Sequence, residues 1–196
     1  MEMRTDLRNL DRQGLIRFVE ELGQPAFRGR QMMPWIYRPG ITGIEEMTDL
    51  AKDFRRIVAE HAYISRFDDP IVEKAMDGTV KFGFRLHDNN IIESVLIPEP
   101  DRNTLCISSQ VGCAMHCAFC LTGTMGIIRN LSPAEIVNQV CATRDHLLAE
   151  PAATLIGPRA VTNLVYMGMG EPLNNLENVL TSLSILTEQK GLDLTG

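Results

Sequence analysis

Residues 104–140, TLCISSQVGCAMHCAFCLTGTMGIIRNLSPAEIVNQV, followed by residues 162–179, TNLVYMGMGEPLNNLENV, decide the fold. The first segment opens on a short strand, TLCISS, which runs into a cysteine-rich loop. Helix-start signals follow: Ser132 as cap, Pro133 in the first turn, and Glu135 completing a capping box. A second strand, TNLVYMG, then runs into glycines, and a further helix begins at about Asn174. Strand, helix, strand, helix is the order of an α/β fold. It implies a parallel sheet with functional loops at the C-terminal ends of its strands.

Upstream the period changes. Val80, Phe82, Phe84 and Leu86 alternate with Lys81, Gly83 and Arg85, the pattern of a strand. His87 to Asn90 form a turn, and IIESVLI over residues 91–97 forms a second strand, so the pair is a hairpin. Before it the chain reads as helical. Leu15, Ile16, Val19 and Leu22 line one face up to Gly23; a second helix after Pro25 packs through Phe27, Met32, Trp35 and Ile36 and ends at Pro39-Gly40. Thr48 is expected to cap a third helix, which carries Leu50, Phe54, Ile57 and Val58. The expected division is a helical accessory domain over residues 1–66, a β hairpin linker over 67–103, and the start of an α/β barrel over 104–196.

With 196 residues, 44% hydrophobic and 22% charged, the chain has the balance of a soluble globular protein. No apolar run is long enough to span a membrane and no signal-peptide core is visible, so a cytoplasmic protein is expected. Thiols stay reduced there, and four of the 5 cysteines fall between residues 106 and 120, which favours ligands or catalysts over disulfides. The net charge of −6 argues against a uniformly basic coat. Residues 1–66 nevertheless carry ten arginines and one lysine, a composition suited to phosphate contact.

Cys113, Cys117 and Cys120 form Cys-x3-Cys-x2-Cys directly after a strand, with Gly112 and Gly123 around them. Three thiolates without an evident fourth ligand suit a 4Fe-4S cluster with one open iron; a zinc site and buried structural thiols are the alternatives. The Gly168-Met169-Gly170-Glu171-Pro172 turn exposes backbone C=O and N–H groups beside the Glu171 carboxylate, against the alternative of a plain strand-to-helix turn. Cys106 shares a polar strand face with Thr104 and Ser108, which points to a site, against the alternative of a small buried thiol. Glu93 shares a face with Ile91, Val95 and Ile97. Burial there would raise its pKa toward that of a general base, whereas the opposite orientation would turn it to solvent. Cys141, in a stripe with Val137 and Leu148, reads as a core residue. Arg129-Asn130 suits a structural salt bridge or cap as well as an RNA contact.

The three-cysteine loop with Phe119 in the aromatic slot, followed by the Gly-Met-Gly-Glu-Pro turn, resembles the radical S-adenosylmethionine superfamily. The two segments quoted above, with FRGRQMMPWIY and MTDLAKDFR, resemble the RlmN family in particular, which methylates carbon 2 of adenosine in 23S rRNA and tRNA; the sibling Cfr-type group acts on carbon 8. The resemblance implies a 4Fe-4S cluster on Cys113, Cys117 and Cys120, S-adenosyl-L-methionine against Gly170 and Glu171, Cys106 as a catalytic cysteine that forms a disulfide with a methyl-carrying cysteine, and Glu93 as proton acceptor. It also implies 23S rRNA and tRNA as partners and an electron donor such as flavodoxin or ferredoxin. A class apart, a non-catalytic iron-sulfur or zinc RNA-binding module, would use the same loop. Measured against the family, residues 104–196 hold two βα units of a partial barrel, and the methyl-carrying cysteine is not among them, so the chain is expected to be inactive alone.

Overall fold

A computed structural model describes residues 4–149 and 160–194. A short strand, β1 (Thr5–Asp6), leads to helices α1 (Arg12–Glu21), α2 (Phe27–Ile36) and α3 (Lys52–His61), and β2 (Ala62–Tyr63) returns to pair with β1 in parallel. The Asp11 carboxylate accepts the Gly14 N–H at 2.7 Å to start α1, and Gly23 at φ +70° follows its end. Leu15 and Val19 face Met32, Met33 and Ile36 in a closely packed pair of helices. Gly29 is required there, because a β-carbon would lie 2.8 Å from the Leu15 carbonyl oxygen.

Two expectations fail in this region. The third helix is entered through Ala51 with no side-chain cap, so Thr48 lies upstream of the cap position. Phe27 does not pack inward but is 43% exposed, with the Arg28 guanidinium 5.1 Å above its ring.

Strands β3 (Ile71–Lys74), β4 (Val80–Arg85), β5 (Ile91–Pro98) and β6 (Asn103–Cys106) follow. A smaller hairpin, β7 (Gln110–Gly112) and β8 (Ile127–Asn130), brackets the short helix α4 (Leu121–Thr124). Then come α5 (Pro133–Ala149), β9 (Asn163–Val165) and α6 (Leu176–Leu186). The main sheet has the order β3-β4-β5-β6-β9, and only β6 and β9 pair in parallel. The parallel pairing expected of the βα units is found between β6 and β9, and the hairpin strands extend the same sheet with antiparallel pairs, which makes it mixed. Connection length is the reason. Short turns join β4, β5 and β6 and force them antiparallel, whereas the chain returns from β6 to β9 by way of α5, the long crossover that a parallel pair requires.

One face of the sheet, with Phe82, Phe84, Ile92, Leu96 and Leu105, is buried and shares a continuous core with the N-terminal helices. Phe84 stacks on Phe67 and Phe82 at centroid distances of 5.0 and 5.9 Å. Helix α5 closes this core. Ser132 Oγ accepts the Glu135 N–H at 3.2 Å while Glu135 accepts the Ser132 N–H at 2.9 Å, the reciprocal cap read from the sequence. Cys141 is buried on this helix, but Leu148, expected on the same stripe, is exposed. The N-terminal segment is tied to α5: the Arg8 guanidinium donates to Asn138 Oδ1 at 2.7 Å, and Asn9 Oδ1 accepts the Ala134 N–H at 2.9 Å. No helix among the described residues is long and apolar enough to cross a membrane.

Candidate active site

The other face of the sheet is open. Ile91, Glu93 and Ile97 of β5 are exposed on it, and Cys106 of β6, half-buried, stands directly opposite Val95. The residues that share Glu93's face are those the alternation predicts, but the bulky aromatics of β4 turn the opposite face inward. The expected burial of Glu93 is thereby overturned. Its side chain is 51% exposed, and the Lys81 ammonium lies 3.4 Å away while also pairing with Glu73 at 2.9 Å. Partial burial pushes the Cys106 thiol above its ordinary pKa, opposed by a backbone hydrogen bond to Met167.

Past Cys106 the chain enters the cysteine loop through β7. Gly112 adopts φ +76°, and a β-carbon there would lie 1.9 Å from the Gly126 carbonyl oxygen, so the loop closes only on a glycine. Cys113 N–H donates to Gly126 C=O at 2.9 Å, and Cys120 N–H donates to Cys117 C=O at 3.0 Å. Cys113 is buried, Cys120 half-buried and Cys117 exposed; all five cysteines are free thiols. His116, at φ 51°, donates from Nδ1 to Gly123 C=O at 3.0 Å, which commits that nitrogen to the backbone. Among the described residues no group of three or more His, Cys, Asp or Glu is placed to hold a metal ion. The donor chemistry nevertheless suits a thiolate-bound group: three reduced thiols on one glycine-bounded loop. Phe119 and Leu121 are exposed at its mouth.

The second loop, residues 168–172, lies against the end of β6. Gly168 N–H donates to Ile107 C=O at 3.0 Å, and the Met169 carbonyl accepts from Ser109 N–H at 2.8 Å. Gly170 adopts φ +97°, packed so closely that a β-carbon would sit 2.5 Å from the Gln110 β-carbon. Glu171 N–H donates to Gln110 Oε1 at 2.8 Å, and the Glu171 carboxylate accepts the Leu173 N–H at 3.1 Å, capping the 3-10 turn Pro172–Asn175. Gln110 also donates to Asn130 Oδ1 at 2.7 Å, so this one side chain ties the second loop to the β7–β8 hairpin that carries the cysteine loop.

Arg129 has a structural partner set. It donates to both oxygens of Glu135 at 2.8 Å and to Asp88 Oδ2 at 2.7 Å, tying β8 to the start of α5 and to the β4–β5 turn. Ser108 was read only as part of the polar face of Cys106, and the partners that join it and the second loop to the sheet, Gln110 and Gln139, escaped the sequence reading. The run Ser108-Ser109-Gln110 at the end of an otherwise apolar strand was their only local signal.

The family described as ribosomal RNA large subunit methyltransferase N-terminal domain matches residues 5–64. The dual-specificity RNA methyltransferase RlmN of Desulfotalea psychrophila is 72% identical over 97% of this chain and 53% of its own length. That of Geobacter sulfurreducens is 49% identical over 100% of this chain and 51% of its own. A crystal structure of a radical SAM methyltransferase from Sphaerobacter thermophilus superposes with a TM-score of 0.81 at 37% identity, covering 96% of this chain and 54% of that one. The chain spans about half the length of the curated relatives it matches. Both loops and the helices that precede them lie within the aligned span, so along nearly its whole length the chain is similar to about half of an RlmN protein.

Proposed function

We propose that the chain forms the first half of a radical S-adenosylmethionine enzyme that methylates carbon 2 of adenosine in 23S rRNA and tRNA. Cys113, Cys117 and Cys120 hold a 4Fe-4S cluster, and S-adenosylmethionine lies against Gly170 and Glu171. When bound, these groups supply a one-electron route to a carbon radical, which an electron-poor adenine carbon requires. The chain's own residues orient and protect that chemistry. Gly170 brings bare backbone to the ligand, Glu171 offers one carboxylate oxygen beside its capping role, and Cys106 and Glu93 face the open side of the sheet, where a base can enter between them. Cys106 serves thiol exchange with a methyl-carrying cysteine, for which it must first lose its proton; Glu93 takes a proton from the adenine. Residues 1–66 hold RNA through Arg28, Arg30, Arg55 and Arg56, residues 67–103 carry the hairpin, and residues 104–196 begin the barrel. A flavodoxin or ferredoxin donates the electron, in the cytoplasm.

The observation that carries this reading is that Cys106 and Glu93 share one open face of a sheet whose strand ends lead into both loops, with Gln110 tying the second loop to the hairpin that carries the first. The test joins this chain to the C-terminal half of the Desulfotalea psychrophila relative, reconstitutes it anaerobically with iron and sulfide, and supplies S-adenosylmethionine, reductant and rRNA. Iron-sulfur absorbance, 5'-deoxyadenosine and carbon-2-methyladenosine are expected. One tightly bound zinc in place of the cluster would overturn the proposal.

A further inference from the structure

The end of β6 carries a buried polar junction that the proposed chemistry does not use. Ser108 is fully buried. Its hydroxyl donates to the Glu93 carbonyl at 2.6 Å and accepts the Met169 N–H at 2.9 Å, so one oxygen bridges the strand of the candidate base and the loop of the candidate cofactor site. Gln139 of α5, equally buried, holds Ser108 from behind. Its Oε1 accepts the Ser108 N–H at 2.7 Å, and its Nε2 donates to the Ser108 carbonyl at 2.9 Å. This side-chain amide satisfies the backbone of Ser108 as a neighbouring strand would. Ser94 Oγ donates to the same Gln139 oxygen at 2.7 Å and, among the described residues, makes no bond to the loop.

A group buried this deeply has no water to replace a lost partner, so its bonds are geometrically strict. We propose that Ser108, clamped by Gln139, is a positioning residue that sets the height of the Gly168–Pro172 loop against β5 and so orders the loop for S-adenosylmethionine. The inference rests on the function proposed above. Its physical basis is preorganisation: a loop already fixed in place loses less freedom when the ligand arrives. Removing the hydroxyl leaves the Met169 N–H without its acceptor and frees the loop, so affinity falls although no atom that touches the ligand has changed.

The test uses the chimaera with the relative's C-terminal half and compares Ser108→Ala, Ser108→Thr and Ser94→Ala. Ser108→Ala is expected to weaken S-adenosylmethionine binding, measured by equilibrium dialysis without reductant, by about tenfold, the scale of one lost hydrogen bond to a buried group. KM for S-adenosylmethionine should rise in step with little change in kcat. Ser108→Thr, which keeps the hydroxyl, should restore binding to within about twofold. Ser94→Ala removes a bond from the same network, so it should lower stability and leave affinity unchanged. A reading independent of any variant's folding is amide hydrogen exchange in the unsubstituted chain of residues 1–196 by nuclear magnetic resonance, where Met169 should be protected as strongly as Ser109. Equal binding by Ser108→Ala and the unsubstituted chimaera, an equal loss in Ser94→Ala, or unprotected exchange at Met169 would each overturn the inference while the proposed function stands. An unsubstituted chimaera that binds no S-adenosylmethionine would instead bring down both.

Discussion

Cys106 and Glu93 are diagonal neighbours on one sheet face: Val95 pairs directly with Cys106, and Glu93 is one pleat away along the same strand. Side chains in that relation have β-carbons about 7 Å apart, near enough to reach a common group lying over the sheet. Their surroundings differ. Glu93 faces water and an ammonium, whereas Cys106 is partly desolvated and its thiol is harder to ionise.

Native-state alkylation reads this difference. At pH 7 iodoacetamide should modify exposed Cys117 first, Cys106 about tenfold more slowly, and buried Cys141 only on unfolding. The rate at Cys106 should keep climbing above pH 8.5, roughly the ordinary thiol value, because its ionisation is displaced upward. Peptide mass spectrometry measures all three sites, and a Cys106 that reacts as fast as Cys117 would contradict the burial.

The Arg129 junction gives a pH-dependent contribution to stability. The Arg129 hydrogen bond holds the Asp88 carboxyl well below the usual carboxylate range. A depressed folded pKa means that the stabilisation is fully present above the unfolded value of about 3.9 and is lost as the pH falls below it. Asp88→Asn should therefore cost about 1 kcal/mol at pH 7, the scale of a partly exposed charged hydrogen bond, and flatten the acid limb below pH 4. Urea unfolding at pH 7, 4 and 3 measures both, and an unchanged acid limb would rule out Asp88 as its source.

Local signals were legible wherever one segment carried its own physics. The Ser132–Glu135 cap, the Gly23 stop and the inward Val80, Phe82 and Phe84 all follow from spacing. What failed depended on partners distant in sequence. Which face of β5 is buried is decided by where the helices lie, so the pattern placed Glu93 on the right face and gave that face the wrong environment. The β7–β8 pair was missed because three residues ending in Gly112 show no alternation. Both loops of the site were legible as motifs, but the clamp that holds the Gly168–Pro172 loop against β5 was not. Ser108 meets Gln139 across 31 residues and Met169 across 61, and a buried serine has no periodic signature.

Two glycines separate backbone strain from crowding. Gly126 has φ +70° and open space where a β-carbon would lie, whereas Gly170 combines φ +97° with Gln110 atoms at 2.5 to 2.8 Å. Gly126→Ala should cost only the conformational penalty, about 1 to 2 kcal/mol. Gly170→Ala adds a clash with a buried neighbour that is bonded on both sides, and the loop must shift. Its S-adenosylmethionine affinity in the chimaera should fall by more than tenfold, while Gly126→Ala retains most of the binding. Isothermal titration on matched preparations separates them, and equal affinities would show that the loop tolerates displacement.

The arginines of the first 66 residues divide by environment. Arg8 is buried, with bonds to Asn138, the Ser65 carbonyl and the Ile36 carbonyl, so it belongs to the core. Arg28 lies between the rings of Phe27 and Phe54 at 5.1 and 5.3 Å, and Arg55 donates to the Glu45 carbonyl, whereas Arg56 makes an exposed pair with Glu60 at 3.2 Å and Arg30 is exposed. Phosphate contact needs a cation that can leave its present partner at little cost, which favours Arg30 and Arg56 over Arg8. Arg8→Met should destabilise the fold by about 2 to 3 kcal/mol, since it leaves buried acceptors unpaired. Arg30→Ala and Arg56→Ala should leave stability within about 0.5 kcal/mol of the parent and weaken RNA binding evenly across sequences. Each should lower the slope of log affinity against log salt by about 0.7 on single-stranded RNA, one released counterion per lost phosphate contact. Filter binding at 50 to 200 mM salt, roughly the range over which such slopes are resolved, makes the measurement. If both variants bind with the parental slope, the exposed arginines do not touch phosphate and the N-terminal segment holds RNA by other groups or not at all.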